Sequence, residues 1–329
     1  MIEAVVIGRV GVDLTPSTPR TSLAVADSFV RAVGGFAGNI GTGLARLGIG
    51  TGVVSAVGDD GHGEHVRTFL AGEGVDVGAV ATVRASRTQV AFFEAWAPDR
   101  FPVTFYRSQP APETRLAGAD LPAGMIQGAR AIIVSGALLA GDPARSTVLE
   151  LLAGRRASGS RWPTSMTILD LDWRPTLGAD PAEAPALIGT AARLSDIVIG
   201  SDEEFEAAEL RPEPAARTAA PGHAPGPGPT LIVIKHGPDG VSIVTGDDRR
   251  SVAGIAVEVV CGLGSGDAFS AAFVAGLLRG LDPLAAAERG NAAGAIVAGR
   301  LMCSTAMPTP AEIDRRLARP AVTTQGARP

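Results

Sequence analysis

Short, unbroken apolar runs recur along the chain, separated by longer stretches in which apolar residues return every three or four positions. Runs at 4–8, 52–57, 131–135, 167–172, 196–199, 231–235 and 241–245 are rich in Val and Ile and mostly lack polar alternation. A half-exposed strand would alternate, so these read as strands covered on both faces of a sheet. Between them, Ile40, Leu44 and Leu47 repeat at helical spacing over 39–47, and Gly48 follows as a C-cap residue. Phe269, Phe273, Leu277 and Leu278 repeat similarly over 267–279. Strands alternating with helices predict an α/β fold with a mostly parallel sheet and right-handed crossovers.

Two regions break the alternation. Residues 14–34 and 84–112 read as short strands and turns, clearest at 88–96 and 103–107, forming a small β lid beside the main sheet. The core is then expected to comprise 1–13, 35–83 and 113–329. Residues 211–229, rich in Pro, Ala and Gly, are expected to be a flexible surface loop within that core. No internal repeat is found.

Composition narrows the class. With 329 residues, 46% hydrophobic and 19% charged, the chain reads as a soluble globular protein with one large core or two modest ones. A net charge of −5 with no basic block tells against a nucleic-acid surface. Cys261 and Cys303 lie in no metal-ligand spacing, so neither a disulfide scaffold nor a zinc site is expected. The same holds for His62, His65, His223 and His236, which read as ordinary surface or loop residues. The opening residues have no basic n-region, and no apolar stretch reaches the roughly 18 residues of a membrane span. The cytoplasm is the expected compartment.

The densest local signal is the run Cys261-Gly262-Leu263-Gly264-Ser265-Gly266-Asp267, read as following a strand-like segment and opening a helix. Glycines let backbone N–H groups converge on an anion, and a helix N-terminus adds favourable partial charge. The run is neither a Walker A loop nor a dinucleotide fingerprint. Asp267 would be repelled by a phosphate held there, so it needs a reason to be present. It is either a helix cap or a base that takes a proton from an attacking hydroxyl.

On these residues the chain resembles the ribokinase-like (PfkB) family of carbohydrate kinases. The other half of the resemblance is Gly34-Gly35-Phe36-Ala37-Gly38-Asn39, followed by Gly58-Asp59-Asp60-Gly61-His62-Gly63. The resemblance implies a three-layer α/β/α core with a β-sheet lid, ATP and Mg2+ as cofactors, and transfer of a phosphoryl group to a small sugar or sugar acid. It assigns Asp267 as catalytic base and Gly264, Ser265 and Gly266 as the anion hole. Asp13 and Asn39 match positions that bind substrate hydroxyls, and Gly34 and Gly35 match the hinge to the lid. Glu204 matches a glutamate that organises magnesium through water, with Ser201 in place of the usual Asn. Lys235, Gly237 and Gly240 line the nucleotide, and Asn291 lies on its adenine side. Lids of this family often pair across a homodimer. The family's Asp-Thr pair is Cys261-Gly262 here, which tells against a bound monovalent cation.

Three more segments resemble the branch of the family that acts on 5-dehydro-2-deoxygluconate and, more loosely, on 2-keto-3-deoxygluconate: residues 8–14, 101–107 and 170–175. A carboxylate acceptor calls for a guanidinium, and Arg107 and Arg174 are the candidates. Each has a structural alternative. Arg107 could pair with a surface acid, Arg174 could tie down its own loop through Asp172, and Tyr106 could pack in the lid. Arg9 either binds substrate or braces Asp13. A neutral-sugar or nucleoside kinase, or a catalytically silent nucleotide-binding regulator, are the rival readings.

Overall fold

The computed structural model describes residues 1–159, 161–174, 180–210 and 228–318. The loop expected at 211–229 lies almost wholly outside the described residues, as does His223. The strands are β1 (Ala4–Ile7), β2 (Gly11–Pro16), β3 (Phe29–Gly34), β4 (Thr51–Gly58), β5 (Asp76–Val83), β6 (Val90–Phe93), β7 (Val103–Tyr106), β8 (Ala131–Ser135), β9 (Met166–Asp170), β10 (Ile197–Ser201), β11 (Leu231–Lys235), β12 (Gly240–Thr245) and β13 (Asp248–Ala253). The helices are α1 (Phe36–Arg46), α2 (Gly61–Gly72), α3 (Ala123–Gly128), α4 (Ala144–Ala157), α5 (Ala184–Leu194), α6 (Asp202–Ala207), α7 (Ser265–Leu278), α8 (Pro283–Ala298) and α9 (Pro310–Leu317).

Among the described residues, nine strands form one sheet in the order β13-β12-β11-β10-β9-β8-β1-β4-β5. Pairing is parallel from β11 to β5, and β12 and β13 are antiparallel. Every apolar run expected to be a strand lies in this sheet. Successive side chains point to opposite faces of a strand, so each run feeds two cores. Ala4, Val6, Ile133 and Ile168 pack with α1, α7 and α8 on one face. Val5, Ile7, Ile132, Val134 and Leu169 pack with α4 and α5 on the other. Each fully buried Ile, Leu or Phe contributes about 1.5–3 kcal/mol.

The edges depart from the reading. Strands β5 and β13 carry exposed and charged positions, and β13 is exposed over most of its length. Charged edge strands resist pairing with another chain, so they lack the apolar signature of central ones. The stretch before the glycine run is not a strand. There the amides of Val260 and Cys261 both donate to the Ala298 carbonyl at the end of α8. Those donors are therefore taken by a helix end and cannot serve a ladder.

The small sheet has the order β3-β2-β6-β7. It begins at Gly11, so Asp13 sits on the lid strand β2. Its inner face, Ala32, Phe93 and Ala95, packs with Cys261 and Met302 and joins the lid to the loop that precedes α7. No helix among the described residues is long and apolar enough to cross a membrane.

Candidate active site

The parallel strands reverse order between β1 and β8, and open α/β sheets present a crevice at the carboxyl ends of strands flanking such a point. Polar residues end the neighbouring strands there: Ser135 on β8, Asp170 on β9, Ser201 on β10 and Lys235 on β11, with Arg9 just past β1. Helix α7 points its amino terminus at the same place. It opens at Gly264, whose φ of +81° is a left-handed conformation that a side chain disfavours. A Cβ there would also lie 2.9 Å from Cys303 Cβ. The Ser265 amide turns back onto the Gly262 carbonyl, and its hydroxyl does the same at 2.7 Å. First-turn amides of a helix have no partner within it, which leaves those of Gly266 and Asp267 for a ligand.

Asp267 lies in that first turn. Its Oδ2 accepts a 2.7 Å hydrogen bond from Asn39 Nδ2 on α1, joining positions far apart in the chain. Burial and the nearby Asp172 charge raise its pKa to about 7, against the opposing pull of the Asn39 hydrogen bond and Lys235. A carboxylate so poised can hold or release a proton near neutrality, as a general base must. Asn39 is 4% exposed, and its Oδ1 has no hydrogen-bond partner among the described residues.

Asp13 faces the same crevice from the lid. Burial pushes it up to about 6, opposed by a hydrogen bond from the Cys303 thiol and by the Arg9 charge. Gly34 packs directly on this carboxylate, since a Cβ there would come within 2.0 Å of Asp13 Oδ2. Gly34 is required by that close approach, which is a stronger constraint than a hinge alone.

Lys235 Nζ approaches Asp170 Oδ2 at 3.5 Å and lies 3.5 Å from where a Cβ of Gly266 would sit. Burial works against its charge, but Asp170 and Glu204 outweigh it and hold Lys235 above the ordinary lysine range. Asp170 also accepts from Ser270 on α7 at 2.7 Å, locking helix to sheet. Glu204 caps its own helix through a reciprocal pair with Ser201, in which Ser201 N donates to Glu204 Oε2 at 2.9 Å. Burial raises Glu204, with Lys235 opposing and Asp170 adding to it.

The guanidinium groups divide differently from the sequence reading. Arg9 braces Asp172, not Asp13, with Nη1 to Oδ2 at 2.5 Å and Nη2 to Oδ1 at 3.1 Å. Asp172 also accepts from Ser135 Oγ at 2.6 Å and from Arg174 Nε at 3.2 Å. These bonds hold it at φ +34°, a conformation a non-glycine residue rarely keeps without such support. Burial opposes the Asp172 charge, but Arg9 and Arg174 keep it below the usual carboxylate range. Arg174 is bonded to its own loop through Asp172, yet its side chain is 51% exposed. Arg107 donates to Glu113 Oε1 at 2.7 Å, and both side chains are buried. The partner of Arg107 is thus an interior acid and not a surface one.

The remaining candidates lie farther out. Gly240 closes a tight turn at φ +109°, after Gly237. Asn291 Nδ2 donates to the Ala253 carbonyl at 3.0 Å, tying α8 to β13. Tyr106 is 63% exposed and stacks edge-on against Phe92. His236 bonds Asp202 and Ser242 and has a structural role. Asp170, Glu113, Ser135 and Cys303 were absent from the sequence candidates. Asp170 alone left a trace, as a lone carboxylate ending the otherwise apolar β9, since a buried charge is kept only when partnered.

The chain belongs to a class of phosphotransferases that act on an alcohol group. The model of the pfkB family of carbohydrate kinases matches residues 1–310, and the chain belongs to that family. It is 31% identical over 316 residues to a 5-dehydro-2-deoxygluconokinase of Clostridium tetani, covering 95% of this chain and 91% of that one. A protein of the same description from Geobacillus kaustophilus is 31% identical over 322 residues, covering 95% and 93%. A structure described as a ribokinase II of E. coli, in complex with ATP and Mg2+, superposes with a TM-score of 0.80 at 20% identity, covering 96% and 99%. The chain is a sugar kinase of an ATP-dependent family, with a ribokinase-like fold.

Proposed function

We propose that the chain transfers the γ-phosphoryl group of ATP to a primary hydroxyl of a small sugar acid of the 5-dehydro-2-deoxygluconate type, in the cytoplasm. The observation that carries the reading is Asp267, raised to about 7 beside Asn39 at the opening of α7. Asp267 takes the proton of the attacking hydroxyl, while Asn39 and Asp13 orient the acceptor. The free amides of Gly266 and Asp267, with Lys235, offset charge on the transferring group. The lid sheet excludes water over the crevice.

Carboxylates suit magnesium, and Glu204 with Asp170 are the residues that would hold its waters. No cluster of three metal-ligating side chains exists among the described residues. When bound, the ion would supply charge neutralisation for the transferring group. Cys261 is buried, and burial pushes its thiol up to about 11, so it offers a monovalent cation no anionic ligand.

The acid end of the acceptor is assigned to Arg174, whose side chain is half exposed and keeps its terminal nitrogens out of the bond to Asp172. The pairing of Arg107 with Glu113 favours a second reading, a neutral polyol acceptor, because that charge is already met inside the protein. The outer face of the lid, with Phe29, Phe92 and Tyr106 packed edge to face, is proposed to meet a second copy of the chain. A coupled ATP-consumption screen over sugar acids, hexoses and nucleosides, with and without potassium, tests the acceptor. A sugar acid should lead, and Arg174→Ala should raise its KM about 10- to 100-fold, the weight of a charge-assisted hydrogen bond. A neutral acceptor in the lead, with KM untouched in that variant, overturns the reading.

A further inference from the structure

Beside the crevice, Arg9, Arg107, Glu113, Thr114, Ser135 and Ala137 line a cavity of about 10 Å³, room for one oxygen-sized group. Arg9 is 8% exposed, and the side chains of Arg107 and Glu113 are 8% and 3% exposed. Each of the three carries one buried atom with no hydrogen-bond partner: Arg9 Nε, Arg107 Nη1 and Glu113 Oε2. The other polar atoms around the cavity are committed. Arg9 gives both terminal nitrogens to Asp172, Arg107 gives Nη2 to Glu113, Ser135 donates to Asp172, and Thr114 donates to the Ala111 carbonyl. Three unmet polar atoms on the residues lining one cavity are unusual, because an unmet buried donor or acceptor costs about 1–3 kcal/mol.

The unmet set is two N–H donors and one carboxylate oxygen. One hydroxyl group has two lone pairs and one O–H, which is the complement of that set. A carboxylate oxygen could take the two N–H groups but would face Glu113 with like charge. Both guanidinium charges are also balanced already, Arg9 by Asp172 and Arg107 by Glu113.

We infer that this cavity is a specificity subsite for a non-reacting hydroxyl of the acceptor, with Glu113 as its hydrogen-bond acceptor and Arg9 and Arg107 as its donors. The inference rests on the proposed polyhydroxylated acceptor and refines it, since it moves Arg107 from carboxylate binding to hydroxyl recognition. A site built to bond a hydroxyl rejects the analogue lacking it far more strongly than an apolar pocket rejects an added one.

The test crosses monodeoxy analogues of the best acceptor from the screen with Glu113→Gln, which keeps the shape and replaces the free acceptor oxygen by a donor. One analogue should lose about 100-fold or more in kcat/KM with the wild-type enzyme, and that same analogue should be indifferent to the substitution. The parent acceptor should lose about 10- to 100-fold with Glu113→Gln, chiefly in KM, with the KM for ATP unchanged. Should that variant misfold, Glu113→Asp retains the charge on Arg107 while withdrawing the free oxygen, and the same pattern is expected. Equal losses for every analogue in the variant would mean a structural water only, and would overturn the inference. If the wild-type enzyme prefers a neutral polyol, the sugar-acid reading falls, while the analogue series on that polyol still decides the subsite.

Discussion

The central strands of the main sheet and the strands of the lid are built on different terms. Strands β8 and β9 are buried at every position, and both faces are sealed by helices. Lid strand β7 alternates half-buried with exposed residues, and β3 is buried only over its last three positions. One sheet owes its stability to apolar area on two faces. The other is half wet, and its inner face is held by a small cluster at Cys261 and Met302. The candidate site residues sit where these regimes meet. The rigid sheet ends supply Asp170, Asp172 and Lys235, and the lid supplies Asp13 and Gly34. A base is best set on the well-packed side, whereas exclusion of water calls for a cover over the crevice.

The comparison can be broken most severely at Asp267. Asp267→Asn should fold normally and lose about 10²- to 10⁴-fold in kcat, the usual weight of a positioned base. In the wild type, kcat/KM should rise with pH and level off above about 7, with Asp13 at about 6 adding to the acid limb. Near-wild-type turnover in the variant, measured by the coupled assay, would remove Asp267 as the base.

Next in size is a contrast of stability. Ile133→Ala, in the fully buried β8, should cost about 2–5 kcal/mol in denaturant unfolding. Phe92→Ser, on the half-exposed outer face of the lid, should cost little in the unfolding of the core and should instead dissociate the proposed dimer in sedimentation runs. Equal destabilisation by both would mean that the lid folds as part of the main core.

The smallest expected effect is electrostatic. The folded pKa of Asp267 lies above its ordinary 3.8, so ionising it opposes folding. Its contribution is fully present below the ordinary value and is lost as pH rises through about 7. Asp267→Asn should therefore melt above the wild type at pH 8 and no higher than it at pH 4. A melting-temperature difference independent of pH would show that desolvation does not set this carboxylate.

Much of this was legible beforehand. The seven apolar runs fixed the interior of the main sheet because burial on both faces leaves a signature that needs no partner to read. Strands β5 and β13 were not legible, since edge positions are chosen against pairing and resemble loops. Asp267 stood out because a carboxylate beside converging amides is locally costly. Asp170 left only its place at the end of an apolar run and Glu113 left nothing, because no local pattern marks Ser270, Lys235 or Arg107 as their partners.

The chain by itself determined the layers of the fold and the glycine-opened helix, and it singled out Asp267 as the candidate base, because each rests on short-range periodicity or on the conformational needs of a few consecutive residues. Only the tertiary structure decided which acid meets which guanidinium. That choice sent Arg9 to Asp172 and Arg107 to Glu113, across 163 and 6 positions respectively. Coulombic pairing depends on distance and desolvation in space, and a sequence records neither.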